Sequence, residues 1–257
     1  MGKLVAVFNQ KGGVGKTTTN VNLSACLAKM NKKILVIDID PQGNTTSGLG
    51  INKNEVELSI YDALVDKIDI RETIIETNIE NLDLIPSNMN LAGAEIELTK
   101  SENRESSLKE SVQAIKGNYD YIFIDCPPSL GLLTINSLVA ADSVLIPIQC
   151  EYYALEGVSA LIDTIRLVKK SLNPAIEIEG VVLSMFDGRT NLSIQVVDEV
   201  KNYFKGKVYA TIIPRNVRLA EAPSFGIPII DYDSNSKGAQ AYMELAEEFI
   251  DCAEGVI

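Results

Sequence analysis

Short apolar runs alternate with amphipathic stretches along the chain. Runs within 4–8, 33–38, 119–125, 143–148, 178–185 and 208–213 are rich in β-branched residues and predict buried strands, with a shorter one at 82–86. Apolar positions at helical spacing predict helices at 91–98, 108–115, 153–172, 191–204 and 236–253. This alternation predicts an α/β fold: one domain over 1–257, in three layers, with a mostly parallel twisted sheet flanked by helices.

A glycine-rich segment separates the first strand from the following helix. Its sequence, NQKGGVGKTT over 9–18, places backbone N–H groups at the positive end of a helix, which is a site for phosphate. Lys16 is expected to reach the β- and γ-phosphates of a nucleotide, and the Thr17 hydroxyl to bind Mg²⁺. Gln10 stands where the ordinary phosphate-loop pattern has glycine, and a second lysine, Lys11, follows it. The predicted nucleotide contacts are Gly12, Gly13, Val14, Gly15, Lys16, Thr17 and Thr18.

Two aspartates follow predicted strands at the edge where open α/β sheets bind ligands. Asp125 ends its strand and is the expected acid that holds Mg²⁺, often through water. Asp40 either orients a water or contacts the metal through water, or it caps a turn before Pro41, and spacing alone does not choose between these.

The segment after Asp125 has two interpretations. The sequence PPSLG at 127–131 either senses the γ-phosphate, or is an ordinary turn with Ser129 as the N-cap of the next helix. Residues 52–118 are polar with short helical patterns, and we find no chemistry there.

Composition narrows the chemistry further. The chain has 257 residues, 46% of them hydrophobic, no histidine, and four widely spaced cysteines. These features argue against a zinc site, a disulfide framework and histidine-based catalysis, and predict small buried or half-buried thiols. No apolar run approaches the ~20 residues that span a bilayer, and no signal-peptide layout is present, so a cytoplasmic protein is expected.

Charge is unevenly distributed. The net charge of −12 argues against nucleic acid as a partner. Fourteen acidic residues against six basic ones lie within 52–110, whereas 185–240 carries seven basic against six acidic. The last third of the chain can therefore present a local basic face.

Several motifs together resemble the ParA/MinD group of deviant Walker A ATPases. KGGVGKTT at 11–18, DIDPQGN at 38–44 and IDCPP at 124–128 carry the group resemblance. QCEYYALEG at 149–157 and IPRNVRLAEAP at 213–223 are similar to the bacterial chromosome-partitioning ParA branch. The resemblance covers nearly the whole chain.

The resemblance implies ATP and Mg²⁺ as cofactors and a homodimer that encloses two nucleotides. In such a dimer Lys11 reaches the partner's phosphates, and Asp40 orients the attacking water. Asp125 keeps its metal role, Pro214 and Asn216 contact adenine, and Met185 packs nearby. Slow intrinsic ATP hydrolysis is expected.

The resemblance also implies macromolecular partners. Arg189 and Arg218 match positions associated with sequence-independent binding of double-stranded DNA by the dimer, although on the residues alone each is a solvated surface arginine. A ParB-type centromere-binding protein is the implied activator, and a nucleoid-associated location follows.

Three alternative functions make different demands on the sequence. A MinD-like membrane-associated cell-division-site ATPase is the nearest, but the final segment lacks Lys and Arg after Lys237, so anionic lipid would repel it. An iron–sulfur reductase would need Cys126 and Cys150 as cluster ligands, outside the motif contexts expected. The third is a binding protein that never turns over ATP.

Overall fold

The computed structural model of the protein describes residues 2–151 and 154–255. In that part of the chain the strands are β1 (Lys3–Val7), β2 (Ile34–Asp38), β3 (Ile75–Glu76), β4 (Leu82–Ile85), β5 (Tyr121–Asp125), β6 (Ser143–Gln149), β7 (Glu177–Phe186) and β8 (Val208–Pro214). The α-helices are α1 (Lys16–Lys29), α2 (Asn44–Gly48), α3 (Ile60–Leu64), α4 (Leu91–Leu98), α5 (Ser107–Val112), α6 (Leu132–Ala140), α7 (Ala154–Ser171), α8 (Asn191–Phe204), α9 (Val217–Glu221), α10 (Ile229–Tyr232) and α11 (Lys237–Glu254).

All eight strands lie in one sheet, in the order β3-β4-β2-β5-β1-β6-β7-β8. Every neighbouring pair is parallel except the short β3–β4 pair at one edge. The central strands β2 and β5 are buried along their whole length, which explains why their sequences are continuous apolar runs. The predicted single-domain α/β fold with a mostly parallel sheet is confirmed.

Alternate residues of β1 enter two different cores, as the pleat of a strand requires. Leu4 and Ala6 pack in the core that contains residues of α3 to α8. Val5 and Val7 pack in the core on the other face, where α1 and α11 lie. Helices therefore cover both faces of the sheet, and the three layers expected from the sequence are present.

Of two predicted helix starts, one differs from the structure and the other lies outside the described residues. The helix after Pro128 begins at Leu132 with Gly131 as N-cap, so Ser129 is not the cap. Instead, the Ser129 carbonyl accepts a hydrogen bond from Thr134 Oγ1 at 2.7 Å. Consecutive prolines keep the chain out of the helical conformation before this point. The predicted start of α7 at Tyr153, and Tyr152 before it, lie outside the described residues.

Helix α11 buries the apolar face that the sequence predicted. Tyr242, Leu245, Ala246 and Phe249 pack into the core, and the helix contacts α1 and β8. Its charged side faces solvent, so its apolar face is not available to a lipid surface. No described helix is long and apolar enough to cross a membrane.

The register of the central strands sets the position of the polar residues that follow them. Asp38 at the end of β2 and Val7 at the end of β1 are both paired with Asp125 on β5. The glycine-rich loop after β1 and the carboxylates at the ends of β2 and β5 therefore meet at one edge of the sheet.

Candidate functional site

The glycine-rich loop folds as the sequence predicted, between β1 and α1. Gly13 and Gly15 have φ of 74° and 91°, a conformation that side chains rarely adopt, which explains glycine at both positions. Gly15 is the N-cap of α1, and the first N–H groups of a helix have no partner within it. The loop is fixed from outside by Ser184, whose Oγ donates to the Val14 carbonyl at 2.8 Å.

Lys16 is held inside this loop. Its side chain is buried, and its Nζ donates to the Lys11 carbonyl at 3.1 Å. Burial lowers the pKa of the Lys16 ammonium, and the nearby Asp125 carboxylate opposes that shift. The arrangement places a positive charge within the cradle where a nucleotide's phosphates are expected.

The loop lines a cavity of about 550 Å³ at the carboxyl edge of the sheet. The cavity also contacts Asp40, Pro127, Pro128 and Ser129. The structure therefore brings together the phosphate loop, the predicted water-orienting carboxylate and the loop that the sequence linked to γ-phosphate sensing.

Asp125 binds two hydroxyl groups through one carboxylate oxygen. Thr17 Oγ1 and Thr45 Oγ1 donate to its Oδ2 at 2.8 and 2.7 Å. Its Oδ1 is buried and has no hydrogen-bond partner among the described residues. Burial raises the pKa of the Asp125 carboxyl, and the two threonine hydroxyls oppose that shift.

This donor set fits Mg²⁺. Magnesium prefers oxygen ligands and usually retains several waters. Because the Thr17 hydroxyl donates its hydrogen bond to Asp125, its oxygen lone pairs remain available to a cation, and the unpartnered Asp125 oxygen adds acceptor capacity. Thr17 and Asp125 are thus the residues that would hold the metal, and this assignment stays a prediction.

Asp38 is fully buried and organises the loop that follows β2. Its Oδ2 accepts from Thr46 N at 2.8 Å and Thr46 Oγ1 at 2.7 Å, and its Oδ1 accepts from Asp40 N at 3.2 Å. Burial and the neighbouring Asp125 carboxylate raise the pKa of Asp38.

Asp40 makes the turn contact that one interpretation predicts, and its position is compatible with the other, which stays a prediction. Its Oδ1 accepts from Gln42 N at 2.9 Å, which is the turn-capping contact expected before Pro41. The residue is only partly buried and also lines the cavity beside Lys16 and Thr17. The cap fixes the carboxylate without withdrawing it from the cavity.

A second cavity of about 380 Å³ adjoins the first. Its lining includes the predicted adenine contacts Pro214 and Asn216, together with Ile213, Leu219 and Tyr242. Asn216 Oδ1 caps α9 by accepting from Arg218 N at 2.8 Å, which leaves its amide N–H groups free to donate to a ligand.

Met185 lies where the two cavities meet, together with Gly15 and Thr18. Its φ of 53° is in the left-handed region, an uncommon conformation for a residue other than glycine. The register of β7 against β8 is irregular at this point, between Leu183 and Phe186. The irregularity explains the turn of the backbone. It places Met185 between the second cavity and the cavity that the phosphate loop lines.

The start of the loop departs from the ordinary pattern in two ways that the structure resolves. Gln10 Nε2 donates to Thr164 Oγ1 on α7 at 2.7 Å, so the residue in place of glycine ties the loop to a helix. Lys11 is partly exposed and is absent from the described lining of the phosphate cavity. A contact between the Lys11 side chain and phosphate stays a prediction.

The predicted DNA-binding arginines carry carboxylate partners in the same chain. The Arg189 side chain is 88% exposed, and its Nη2 lies 2.6 Å from Asp187 Oδ2. Arg218 pairs with Glu221 at 2.9 Å and Asp233 at 3.5 Å. DNA binding by these residues stays a prediction.

Sequence reasoning missed four polar residues that support the site. Asn9, Thr45, Thr46 and Ser184 hold the loops through hydrogen bonds. Asn9 alone had a signal, as a polar residue directly between the first strand and the loop. The others act through contacts that no local pattern encodes.

Comparison with known proteins bears on this site. A family model described as an AAA domain matches residues 2–178. The sporulation initiation inhibitor protein Soj of Bacillus subtilis is 64% identical over 248 residues, covering 96% of this chain and 98% of Soj. The chromosome partitioning protein ParA of Myxococcus xanthus is 53% identical over 250 residues, covering 97% of this chain and 88% of that protein.

A solved structure shares both fold and sequence. Cobyrinic acid a,c-diamide synthase from Mycobacterium smegmatis, crystallised with ADP and magnesium, superposes with a TM-score of 0.88 at 35% identity, covering 100% of this chain and 97% of that one. The sequence identity to Soj and ParA shows that the chain belongs to the ParA/Soj family of chromosome-partitioning ATPases, within the deviant Walker A group, and the phosphate loop and the two carboxylates agree with this assignment.

Proposed function

We propose that this protein hydrolyses ATP, with Mg²⁺, in a dimerisation cycle that partitions bacterial DNA. The observation that carries the proposal is the single cavity shared by Lys16, Thr17 and Asp40, with Asp125 directly behind Thr17. The relatives named chromosome-partitioning proteins support the biological setting.

The residues take distinct parts in the reaction. Backbone N–H groups of the loop and Lys16 bind the phosphates, and phosphoryl transfer depends chiefly on such positioning and charge stabilisation. Thr17 and Asp125 would hold Mg²⁺, and the bound ion would supply positive charge that neutralises the phosphates. Asp40 orients the attacking water, and among the described residues that line the cavity it is the only carboxylate. With a single carboxylate and no histidine, slow turnover is expected.

Lys11 completes the site from a second subunit. Because its side chain does not line its own phosphate cavity, it is free to reach the cavity of a partner. A cation brought to the transferred phosphoryl group acts as an arginine finger does. ATP binding and assembly then become one event.

DNA and a protein activator are the proposed partners. Arg189 and Arg218 lie in the less acidic last third of the chain and are exposed enough to meet phosphates. Two such faces in one dimer raise the local positive potential, which supports weak, salt-sensitive binding to the nucleoid. A ParB-type protein that orders the site would accelerate hydrolysis.

The proposal is tested by separating nucleotide binding from hydrolysis. Asp40→Ala should lower kcat by about 100-fold or more, on the scale of losing one transition-state contact, and retain ATP affinity. Asp66→Ala, which removes an exposed carboxylate away from the cavity, is the control and should keep the wild-type rate. The same Asp40→Ala chain should elute as a dimer with ATP and as a monomer with ADP.

Two results would overturn the proposal. Wild-type turnover in Asp40→Ala would remove the role of that carboxylate. Failure of ATP to shift Asp40→Ala toward a dimer, or a shift that persists in a Lys11→Ala, Asp40→Ala chain, would remove the shared-site cycle.

A further inference from the structure

Ser87 lies two residues beyond β4, in the segment where the sequence showed no chemistry. It is fully buried and does not line the phosphate cavity. Because β4 pairs with β2 in parallel, the carboxyl end of β4 lies beside the Asp40 loop. A serine at this point is therefore adjacent to the loop in space and 47 residues from it in sequence.

The hydroxyl and the backbone N–H of Ser87 both bind that loop. Its Oγ donates to the Asp40 carbonyl at 2.7 Å, and its backbone N–H donates to Thr46 Oγ1 at 2.9 Å. Thr46 Oγ1 donates in turn to Asp38 Oδ2. Ser87 thus contacts the two ends of the 40–46 segment directly.

The Asp40 backbone is fixed on both sides. Its N–H donates to Asp38, and its carbonyl accepts from Ser87 Oγ and from Gly43 N at 2.9 Å. Pro41, which follows, has no N–H to contribute another bond. The space around the segment is also restricted, since a Cβ on Gly43 would lie 3.1 Å from the Ser87 carbonyl. The orientation of the peptide after Asp40 therefore depends on Ser87.

We propose that Ser87 is a positioning residue for Asp40 in ATP hydrolysis. This inference rests on the proposed function, because it assumes that the Asp40 carboxylate orients the attacking water. Ser87 contacts neither the loop that binds phosphates nor the second cavity, so its hydroxyl acts on the rate and not on nucleotide affinity. Small displacements of an orienting group are costly, since a misplacement of about 1 Å can reduce a rate about 100-fold.

The test is Ser87→Ala, which deletes the hydroxyl and retains the N–H bond to Thr46. We expect kcat to fall about tenfold, within that range of displacement effects. The Kd values for ATP and ADP should stay within about twofold of wild type, because the phosphate loop is untouched. Ser87→Thr keeps a hydroxyl and should recover most of the rate.

Ser107→Ala is the matched control. Ser107 is also buried and donates to a backbone carbonyl, that of Asn103 at 3.2 Å, on α5 away from the site. Its substitution should lower thermal stability about as much as Ser87→Ala and leave kcat unchanged.

The outcomes separate this inference from the proposed function. Wild-type kcat in Ser87→Ala, with Asp40→Ala inactive, overturns the inference alone. Loss of folding or of nucleotide affinity in step with the rate assigns Ser87 to the fold and also overturns it. Wild-type turnover in Asp40→Ala overturns the proposed function itself.

Discussion

Burial makes three of the four cysteine thiols poor nucleophiles. Cys26, Cys126 and Cys150 are buried, whereas Cys252 is exposed on α11. Burial raises the pKa of Cys26 and Cys126 to about 12 and that of Cys150 to about 11. Because the thiolate is the nucleophile, these side chains are almost entirely unreactive near neutral pH. The small buried thiols predicted from the sequence are confirmed at these three positions.

Alkylation should therefore distinguish one cysteine from the other three. Native protein treated with iodoacetamide at pH 8 should gain one label, at Cys252, and denatured protein should gain four. Mass spectrometry of tryptic peptides gives both counts. Labelling of native Cys126 or Cys150 at the rate of Cys252 would contradict the buried environment described here.

At the residue scale, local patterns identify the residues that line the candidate site more readily than the residues that hold them in place. Lys16, Thr17 and Asp125 could be assigned because a strand, a glycine turn and a helix place them by local rules. Thr45 could not, since its contact to Asp125 joins residues 80 apart in sequence. The sequence alone did not decide the role of Asp40, because one carboxylate can cap the turn at Gln42 and also line the cavity. Local spacing indicates only the turn contact.

At the scale of elements, the 127–131 loop is fitted closely to α4. A Cβ on Gly131 would collide with Glu95 Oε1, an oxygen that is buried without a hydrogen-bond partner among the described residues. Glycine at the N-cap of α6 thus allows the helix and the loop to approach. The loop that lines the phosphate cavity is therefore held from behind by α4.

This contact predicts a rescue between two substitutions. Gly131→Ala should destabilise the protein by about 1 kcal/mol or less, because the atoms that collide are the far end of the flexible, partly exposed Glu95 side chain, which can rotate away. Glu95→Ala should cost little, because it removes an unsatisfied buried oxygen. The double variant, with Gly131→Ala and Glu95→Ala, should be more stable than Gly131→Ala alone. Urea unfolding of the wild type, the two single variants and the double variant measures the four free energies of unfolding. Simple additivity would show that the collision is relieved elsewhere.

Element boundaries show where local patterns stop being informative. Helices at 91–98 and 191–204 were predicted to the residue, because apolar spacing and polar flanks coincide there. The helix predicted over 108–115 ends at Val112, and a short 3₁₀ turn forms at Lys116–Asn118. Sheet order and the register of Asp38 with Asp125 depend on long-range pairing, which no pattern along the chain contains.

At the scale of the whole molecule, charge and assembly are linked. The net charge of −12 opposes DNA binding, and Asp187 further neutralises Arg189. The Arg189 side chain holds the pKa of the Asp187 carboxyl well below its ordinary value, so both groups are charged throughout the neutral pH range. Binding to DNA must compete with this internal pair.

Removal of the competing carboxylate should strengthen DNA binding. Asp187→Asn should raise the affinity of the ATP-bound protein for duplex DNA about two- to tenfold at low salt, and Arg189→Ala should lower it. Asp198→Asn changes the net charge equally at an exposed position of α8 and is the control. Equal gains in Asp187→Asn and Asp198→Asn, measured by fluorescence anisotropy across salt concentrations, would show that only net charge matters.

Three hydrogen bonds hold the backbone of the phosphate loop in place. Asn9 accepts from Lys11 N, Ser184 holds the Val14 carbonyl, and Lys16 donates to the Lys11 carbonyl. Of these three bonds, only the one from Lys16 is made by a side chain that is expected to contact phosphate, so nucleotide binding should require the exchange of that bond alone. Capture should therefore occur in a single phase whose rate rises linearly with nucleotide concentration, and the lifetime of the complex, more than the speed of encounter, should set its affinity.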